Sequence, residues 1–582
     1  MPDLKVFFNN VLVLFFFFIS SFLFAQSIPS NDQKKVFGQA EADLKKENYK
    51  NALPLFMTLD TLFPDHAQIN YKIGLCIFNL TENKLSSIPY FEKAAKSVSE
   101  KYKGESLDEL NAPFITNFYL GKAYHYNYEF YKAIEAFQIF KLYVDPSNTN
   151  LIKELDRCIE ISNNALEIML TPVNVKIVNL GDNINSVLDE YSPLICNEES
   201  SILFTSGKVN SEGENQFSGD IYISEKTNTW QKAHSLSENI NTPFHESTAG
   251  ISFDCQTMFI YKSKGKNGTL YKSELIGNTW SVPQIIDFNQ KEDDNQTYAT
   301  ISNERDRLYF VSDMPGGYGG KDIWMCKLLP NQLWGLPINL GPDVNSEYDE
   351  EAPFIHPDGK YLFFSSKGHK SMGGFDIFFV EKNTDDLWSE RMNLGYPLNT
   401  VDDDVYYVSS ADGKRSYFSS KRSGGFGGQD LYMATFVNKE DKPLTIFSGC
   451  VKHSGNPEIN SKVTIHVKNI DTSEEFLFRP NIETGKYIMA LNFGNYHVSY
   501  KFDQKVFYTE DIFVTEWIFN ILKKDVELNL VEVFNDCIEP EVFLEKNKAI
   551  IKDSQTNDLK KSVNSSRIKN KPARIKSSKK SK

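Results

Sequence analysis

A short motif recurs at a fixed interval in the middle of this chain. Asp322-Ile323-Trp324, Asp376-Ile377-Phe378 and Asp430-Leu431-Tyr432 are spaced by 54 residues, and Trp280, Trp334 and Trp388 keep the same spacing. Such a period is typical of stacked or radially arranged units, because one repeat alone cannot bury its hydrophobic face. The period therefore predicts a repeat architecture over residues 173–440.

Each repeat has the pattern of four short strands. The copy from Glu350 to Leu394 contains an alternating apolar run, the turn Asp358-Gly359, an aromatic run, a glycine-rich loop, a third strand that begins at Asp376 and a tryptophan segment. Short strands joined by tight turns predict one blade of a β-propeller. Five copies predict a five-bladed propeller and leave a sixth, divergent blade open.

The two ends of the repeat region predict that the ring is closed. The region opens with VKIVNL (Val175 to Leu180), which matches the fourth strand of a copy, and it closes after DLYMATF, which matches a third strand. The first segment can thus complete the last copy. We expect this pairing because a closed ring has no free strand edges that would invite aggregation.

Two further domains flank the repeats. Residues 31–170 have helical periodicity, and Gly121, Tyr124, Ala133 and Phe137 show the alternation of small and large residues of a tetratricopeptide repeat, an α-solenoid unit whose small residues allow close helix approach. Residues 444–533 alternate apolar and polar residues with period two, which predicts a small β-sandwich. The chain is therefore expected to be a multidomain α plus all-β protein.

The two termini have biased compositions. A 14-residue apolar stretch, Val11 to Phe24, predicts a signal peptide over residues 1–25 with cleavage after Ala25, the alternative being an uncleaved anchor. No transmembrane span is expected after cleavage. From Lys546 to Lys582 there are 13 Lys and Arg against 2 Asp, so residues 534–582 are expected to be a disordered basic tail. Such a tail either attracts anionic wall polymers or lipopolysaccharide or only keeps the chain solvated.

Charge and cysteine content exclude several classes of protein. The whole chain has a net charge of −14, and because residues 546–582 carry +11, the rest of the chain carries −25. Such an acidic body does not suit a nucleic-acid-binding protein. The seven cysteines are scattered, without a CxxC pair, and we expect buried thiols with no disulfide. No cofactor is predicted.

The domain order resembles a known family. Blades with GGxGGxD loops, the linkers LGDNINS, LGPDVNS and LGYPLNT, and the sandwich segment GKYIMALNFGNYHVSY together resemble the PorE-like envelope proteins of the Bacteroidota. The resemblance implies a TolB-like propeller, a carboxypeptidase regulatory-like sandwich and a periplasmic scaffold at the outer membrane, associated with type IX secretion or gliding machinery. It does not extend to the OmpA-like domain with which such proteins commonly end, so peptidoglycan anchoring is in doubt.

Recurrent aspartates are the most regular polar residues of the repeats. Asp220, Asp322, Asp376 and Asp430 each precede a strand, and we interpret them as turn carboxylates that accept backbone N–H bonds, rather than as a cation-binding ring. The acidic clusters Asp349 to Glu351 and Asp402 to Asp404 lack the alternate spacing of a calcium loop. We expect these clusters to be solvated turns and predict no metal site.

The glycine-rich loops supply the candidate binding surface. Tyr318, Phe375 and Phe426 stand next to glycines, with Lys321 and Arg422 nearby, and together they could form an exposed rim that binds a partner. The sequence contains no GxSxG elbow and no HExxH, so no catalytic residues are predicted. We expect a non-enzymatic scaffold that binds envelope proteins of a secretion or motility complex. The alternative is a propeller that binds a glycan or a peptidoglycan fragment.

Overall fold

The computed structural model describes residues 29–530, apart from short internal stretches. Those stretches are residues 81–83, 197–198, 210–214, 264–266, 289–294, 384–386, 438–443, 456 and 516–521. The predicted signal peptide and the predicted basic tail both lie outside the described residues.

Seven α-helices form the N-terminal domain in the part of the chain that the structure describes. The first begins with a capping box, in which Ser30 accepts the N–H of Gln33 and the Gln33 side chain accepts the N–H of Ser30. Consecutive helices contact one another, and a short parallel strand pair, β1 (Val98–Ser99) with β2 (Ala112–Pro113), lies between the fourth and fifth helices. The helices are α1 (Asn31–Lys45), α2 (Tyr49–Leu62), α3 (Ala67–Asn79), α4 (Ile88–Ala95), α5 (Thr116–Tyr126), α6 (Phe130–Lys141) and α7 (Thr149–Leu170).

Glycines set the spacing of two helix pairs. A Cβ atom on Gly74 of α3 would lie 2.7 Å from the ring of Phe91 in α4, and one on Gly121 of α5 would lie 2.6 Å from the ring of Phe137 in α6. Both rings are buried. A larger residue at either glycine would therefore push the paired helices apart.

Five antiparallel sheets follow in the described part of the chain. Four of them have three longer strands and one shorter outer strand, and the second sheet has two short segments paired with its third strand. The strands are β3 (Val175–Asn179); β4 (Glu190–Ile195), β5 (Ser201–Val209), β6 (Asn215–Glu225) and β7 (His234–Ser235); β8 (His245–Ile251), β9 (Thr257–Ser263), β10 (Gly268–Ile276), β11 (Thr279–Trp280) and β12 (Gln284–Ile285); β13 (Gln296–Ile301), β14 (Arg307–Ser312), β15 (Asp322–Lys327) and β16 (Ile338–Asn339); β17 (Glu350–Ile355), β18 (Tyr361–Ser366), β19 (Asp376–Glu381) and β20 (Met392–Asn393); and β21 (Asp404–Ser409), β22 (Arg415–Ser420) and β23 (Asp430–Phe436).

The sheets are arranged in a closed ring, as in a β-propeller. The first strands β4, β8, β13, β17 and β21 contact one another in this order, and β21 also contacts β4. The outer strand of the last sheet is β3, which pairs with β23 in the register Tyr432 to Asn179. This is the pairing that the phase of the repeat predicts, and it joins the two ends of the repeat region.

The centre of the ring is filled by side chains. Each first strand contains a β-bulge, and Ser192, Ala352 and Tyr406 have positive φ angles there. The rings of Tyr191 and Tyr298 pack against Tyr406, with centroid distances of 5.8 and 6.0 Å. The interior of the ring is therefore a packed core and not an open tunnel at this level.

The C-terminal domain is a sandwich of two sheets. One sheet has the order β27-β24-β30, with β31 also on β24, and the other has the order β26-β25-β28-β29. Val463, Ile465, Val498 and Tyr500 are buried between them. The strands are β24 (Thr445–Lys452), β25 (Val463–Asn469), β26 (Glu475–Phe478), β27 (Lys486–Leu491), β28 (Gly494–Phe502), β29 (Lys505–Val514), β30 (Leu522–Lys523) and β31 (Val526–Glu527).

The expectation that the chain has no disulfide is wrong. Cys196 and Cys255 form a disulfide with a Cα–Cα distance of 5.7 Å, which joins the turn after β4 to the turn before β9. The two residues are 59 positions apart, close to one repeat, so they occupy similar places in neighbouring sheets. The geometry of the ring, and not a local CxxC motif, brings the two thiols together.

Candidate functional site

Three aspartates each bind the glycine-rich loop that precedes them. Each carboxylate accepts the N–H of the residue four positions earlier, and each also accepts an amide N–H from an asparagine of the outer strand. A carboxylate that satisfies several backbone and amide donors fixes a tight loop. The backbone donors are Tyr318 to Asp322 (2.5 Å), Met372 to Asp376 (2.8 Å) and Phe426 to Asp430 (2.7 Å).

The fourth predicted turn carboxylate makes a different contact. Asp220 forms an ion pair with Lys208 at 2.8 Å, within the β5–β6 hairpin. The first sheet does not carry the glycine-rich loop of the later copies, and its hairpin strands are longer. Asp220 therefore belongs to a hairpin that differs from the loops of copies three to five.

The asparagine of each LGxxxN linker fixes the linker to the sheet that it leaves, and the sequence analysis did not identify it. Asn345 accepts the N–H of Ile323 at 2.8 Å and donates to the carbonyl of Ile323 at 3.0 Å and to the side chain of Asn339 at 2.9 Å. Asn185 and Asn399 make the same three contacts in their copies. The signal was visible as a recurrent asparagine, because an amide is the side chain that both donates and accepts in a backbone clamp.

The acidic clusters are not solvated turns. Glu350 is fully buried and accepts the hydroxyls of Ser346 and Ser366 and the N–H of Ser346, and burial raises its pKa to about 7. Asp404, also fully buried, pairs with Arg422 at 2.7 Å. Burial is tolerated because each carboxylate has several donors. The sequence signal was a hydroxyl residue four positions before each carboxylate.

The residues at the tips of the three loops differ in exposure. We define the loop-tip residues as those four positions before Asp322, Asp376 and Asp430, namely Tyr318, Met372 and Phe426. Tyr318 and Phe426 are 54% and 49% exposed, whereas Met372 is fully buried.

Grouping Phe375 with Tyr318 and Phe426 was wrong in register. Phe375 lies directly before its aspartate, at the position that Lys321 and Gln429 occupy in the other loops, and its N–H binds Asp403 at 3.0 Å. Its ring is half-buried with Lys367 above it, 4.5 Å from the centroid. Phe375 therefore packs against the adjoining linker and does not form a loop tip.

The two predicted cations of the rim are engaged in ion pairs. Lys321 binds Glu351 at 2.6 Å. Arg422, with a side chain 14% exposed, donates to Asp404 and to the carbonyl of Leu398, both at 2.7 Å. Lys321 thus joins two copies, and Arg422 joins the last sheet to the linker before it. The exposed part of the predicted rim therefore consists of Tyr318 and Phe426.

The helical domain covers the remaining loop tip, Met372. The imidazole Nε2 of His125 lies 3.0 Å from the carbonyl oxygen of Met372, and Asn164 donates to the carbonyl of Ser371 at 3.1 Å. Around the Met372 side chain, Phe130 and Ala165 complete a small buried cluster. His125 is itself buried, and this burial lowers its pKa to about 4. The helices are thus docked on one loop through apolar packing and directed hydrogen bonds.

The sandwich closes the opposite side of the ring. Ile446 and Ile488 of the sandwich pack with Ala411 and Phe253, which lie in turns after first strands of the ring. Asn481 donates to Glu274 at 2.9 Å, and Arg479 donates to the carbonyl of Glu304 at 3.3 Å. The ring therefore has a protein domain on each side.

The described residues contain no group of three or more His, Cys, Asp or Glu side chains that could hold a metal ion. Over the same residues, none of the helices has the length and apolar character needed to cross a membrane.

No protein-family model matches the chain, and no curated protein sequence matches it either. Among solved structures it is similar to a putative TolB from Agrobacterium tumefaciens, with 14% identity over 55% of this chain and 97% of that one and a TM-score of 0.29. An endo-arabinase from Bacteroides thetaiotaomicron matches with 13% identity, 45% and 98% coverage and a TM-score of 0.31. The prolyl oligopeptidase B of Galerina marginata matches with 8% identity, 53% and 38% coverage and a TM-score of 0.25. These TM-scores carry no argument about function.

Proposed function

We propose that this protein is a non-catalytic scaffold that binds envelope proteins through the loop tips of a five-bladed propeller. In this assignment the five sheets are the blades, the helix pairs are tetratricopeptide repeats of a short solenoid, and the sandwich is a carboxypeptidase regulatory-like domain. The proposal takes the domain order and the blade loops as those of a PorE-like protein.

The observation that carries the proposal is the burial of Met372 under the helical domain. The three loop tips donate the same backbone hydrogen bond to the aspartate four residues later, and one of them already binds a protein domain of this chain. The other two present Tyr318 and Phe426, and aromatic residues are enriched among those that contribute most to binding energy at protein interfaces. We infer that these two positions bind other proteins.

The proposed location is the periplasm, at the outer membrane, in association with type IX secretion or gliding machinery. The apolar N-terminal stretch and the resemblance favour this location. The Cys196–Cys255 disulfide adds support, because disulfides persist in oxidising compartments. Attraction of the basic C-terminal residues to anionic wall polymers or lipopolysaccharide remains part of the proposal.

The test is a pull-down from cross-linked cells with the double variant Tyr318→Ala, Phe426→Ala. Partners recovered with the wild-type chain should be reduced at least tenfold with the double variant. Phe513→Ala is the matched control, since it removes an aromatic side chain that is 66% exposed on the sandwich. Equal recovery of every partner by the double variant and the control would contradict binding at the loop tips.

A glycan-binding function is the second candidate. The observation that favours it is a cleft between the ring and the sandwich, which lies away from the loop tips.

A further inference from the structure

A polar and aromatic cleft lies where the sandwich meets the second and third sheets. Its volume is about 160 Å³. Apolar and polar side chains of both domains line it. Its lining includes Phe259, Gln332 and Trp334 from the ring and Asn460, Arg479 and Asn481 from the sandwich.

Trp334 differs from its equivalents in two other sheets. Lys226 and Lys382 lie over the rings of Trp230 and Trp388, at 4.9 and 5.3 Å from the centroids. Each lysine forms an isolated bridge with its tryptophan, and in the third sheet the residue that bridges Trp334 is Leu328. The third copy has thus replaced the cation with an apolar residue, and both Leu328 and Trp334 line the cleft.

The sandwich contributes hydrogen-bonding groups that are fixed in place. Asn481 is buried, accepts the N–H groups of Glu483 and Thr484 at 2.9 Å, and donates to Glu274. Arg479 is anchored at the carbonyl of Glu304 and carries five N–H donors, of which this contact engages one. The position of these groups depends on the docking of the two domains.

The lining has no strong excess of one charge. Lys272, Arg305 and Arg479 face Glu274 and Glu483, and Arg305 is further paired with Asp254 at 2.7 Å. A strongly charged ligand would therefore meet both attraction and repulsion. A neutral ligand with many hydroxyls suits a wall that both donates and accepts hydrogen bonds.

We propose that this cleft binds a neutral saccharide, with one sugar ring packed against Trp334 and its hydroxyls bonded to Arg479 and Gln332. A sugar ring has an apolar C–H face for the indole and hydroxyls that both donate and accept. The proposal names the ligand class for the glycan-binding candidate and rests on that candidate. It does not depend on the scaffold function, because the loop tips and this cleft share no residue.

The test uses the full chain with chitotriose and cellotriose as probes. Saturation-transfer NMR should show transfer to at least one of them, and isothermal titration should give its dissociation constant. Trp334→Ala and Arg479→Ala should each weaken binding at least tenfold. Trp388→Ala is the matched control, because it removes the equivalent tryptophan of the next sheet, and it should leave binding unchanged.

Two results would overturn the proposal. One is an absence of transfer to both probes at millimolar concentration with the folded wild-type chain. The other is binding that Arg479→Ala leaves unchanged, or that Trp334→Ala and Trp388→Ala weaken equally. Arg479 is partly exposed, so the variant Arg479→Ala keeps the test valid if Trp334→Ala fails to fold. None of these outcomes changes the expected result of the pull-down at the loop tips, so the scaffold proposal is tested separately.

Discussion

Two glycine-rich loops leave their tips exposed, and the third, built on the same backbone plan, is covered by helices. The exposed tips follow glycine pairs, Gly316-Gly317 before Tyr318 and Gly424-Gly425 before Phe426, whereas Met372 follows Lys370-Ser371. The hydrogen bond from the loop tip to its aspartate is kept in all three. The repeat therefore fixes the bond between loop tip and aspartate, and the residues that depart from the repeat select the partner.

The departure also explains what the neighbouring side chains do. His369 donates its Nε2–H to the carbonyl of Val344 at 2.9 Å, and the carbonyls of His369 and Lys367 accept from Arg157 of α7 at 3.0 and 2.7 Å. The fourth copy has thus kept its carboxylate contacts and added acceptors for a helix. A tip that carries an exposed aromatic instead is available to a partner outside the chain.

The largest expected effect comes from a substitution at the buried loop tip. Met372→Ala should destabilise the docked helical domain by about 2–5 kcal/mol, since it removes a fully buried side chain from a packed cluster. Phe426→Ala should change stability by only about 0.5 kcal/mol, because its ring is half in solvent.

Hydrogen exchange of α7, together with thermal unfolding, measures both effects. Faster exchange in α7 with Met372→Ala and unchanged exchange with Phe426→Ala is the expected pattern. Similar effects of the two substitutions would mean that the three tips do not differ in what they hold.

A second prediction concerns the pH dependence of the docking of the helical domain. His125 has an ordinary pKa of 6.5, and burial lowers it to about 4 in the folded chain. The folded state therefore binds fewer protons than the unfolded state between these values, so this contribution is present above pH 6.5 and is lost as the pH falls toward 4. Docking should weaken by about 1 kcal/mol between pH 6.5 and 5.5.

The variant His125→Gln isolates this contribution. Asp376 beside it has a pKa raised by burial to about 8, so its own contribution changes in the opposite direction as the pH falls. Exchange rates of α7 should depend less on pH in His125→Gln than in the wild type, and His497→Gln, a surface histidine, should follow the wild type. Identical pH profiles for all three chains would show that His125 does not titrate with docking.

The sequence was sufficient for the local architecture and insufficient for the contacts between domains. The 54-residue spacing predicts the sheets, and the phase at Val175 predicts the pairing of β3, because both depend on patterns within the repeat. The contact between His125 and Met372 joins residues 247 positions apart. No periodicity reports such a pair, so the burial of Met372 could not be predicted.

In the candidate site too, the local contacts could be predicted from the sequence, and the contacts that depend on neighbouring elements could not. The turn aspartates could be recognised because an aspartate recurs at the same place in three copies, where it makes the same short-range bonds. Glu350 and Asp404 were misjudged because a run of carboxylates resembles a solvated loop, and only the neighbouring sheets supply the donors that allow burial. The register of Phe375 was misjudged because glycine pairs occur on both sides of the loop tip. Aligning each loop on its aspartate would have identified Met372 as the loop tip of the fourth copy, although not its burial under the helices.

The smallest expected effect concerns an exposed ion pair across the same interface. Lys370 lies 3.0 Å from Glu167 of α7, with side chains 72% and 65% exposed, so Lys370→Ala should cost no more than about 0.5 kcal/mol. Arg157→Ala provides the contrast, because its side chain is 11% exposed and binds two loop carbonyls, and it should cost about 1–3 kcal/mol. Exchange rates of α7 at low and high salt measure both. A Lys370→Ala effect that equals the Arg157→Ala effect and vanishes at high salt would mean that surface charge, and not the buried loop tip, holds the helices on the ring.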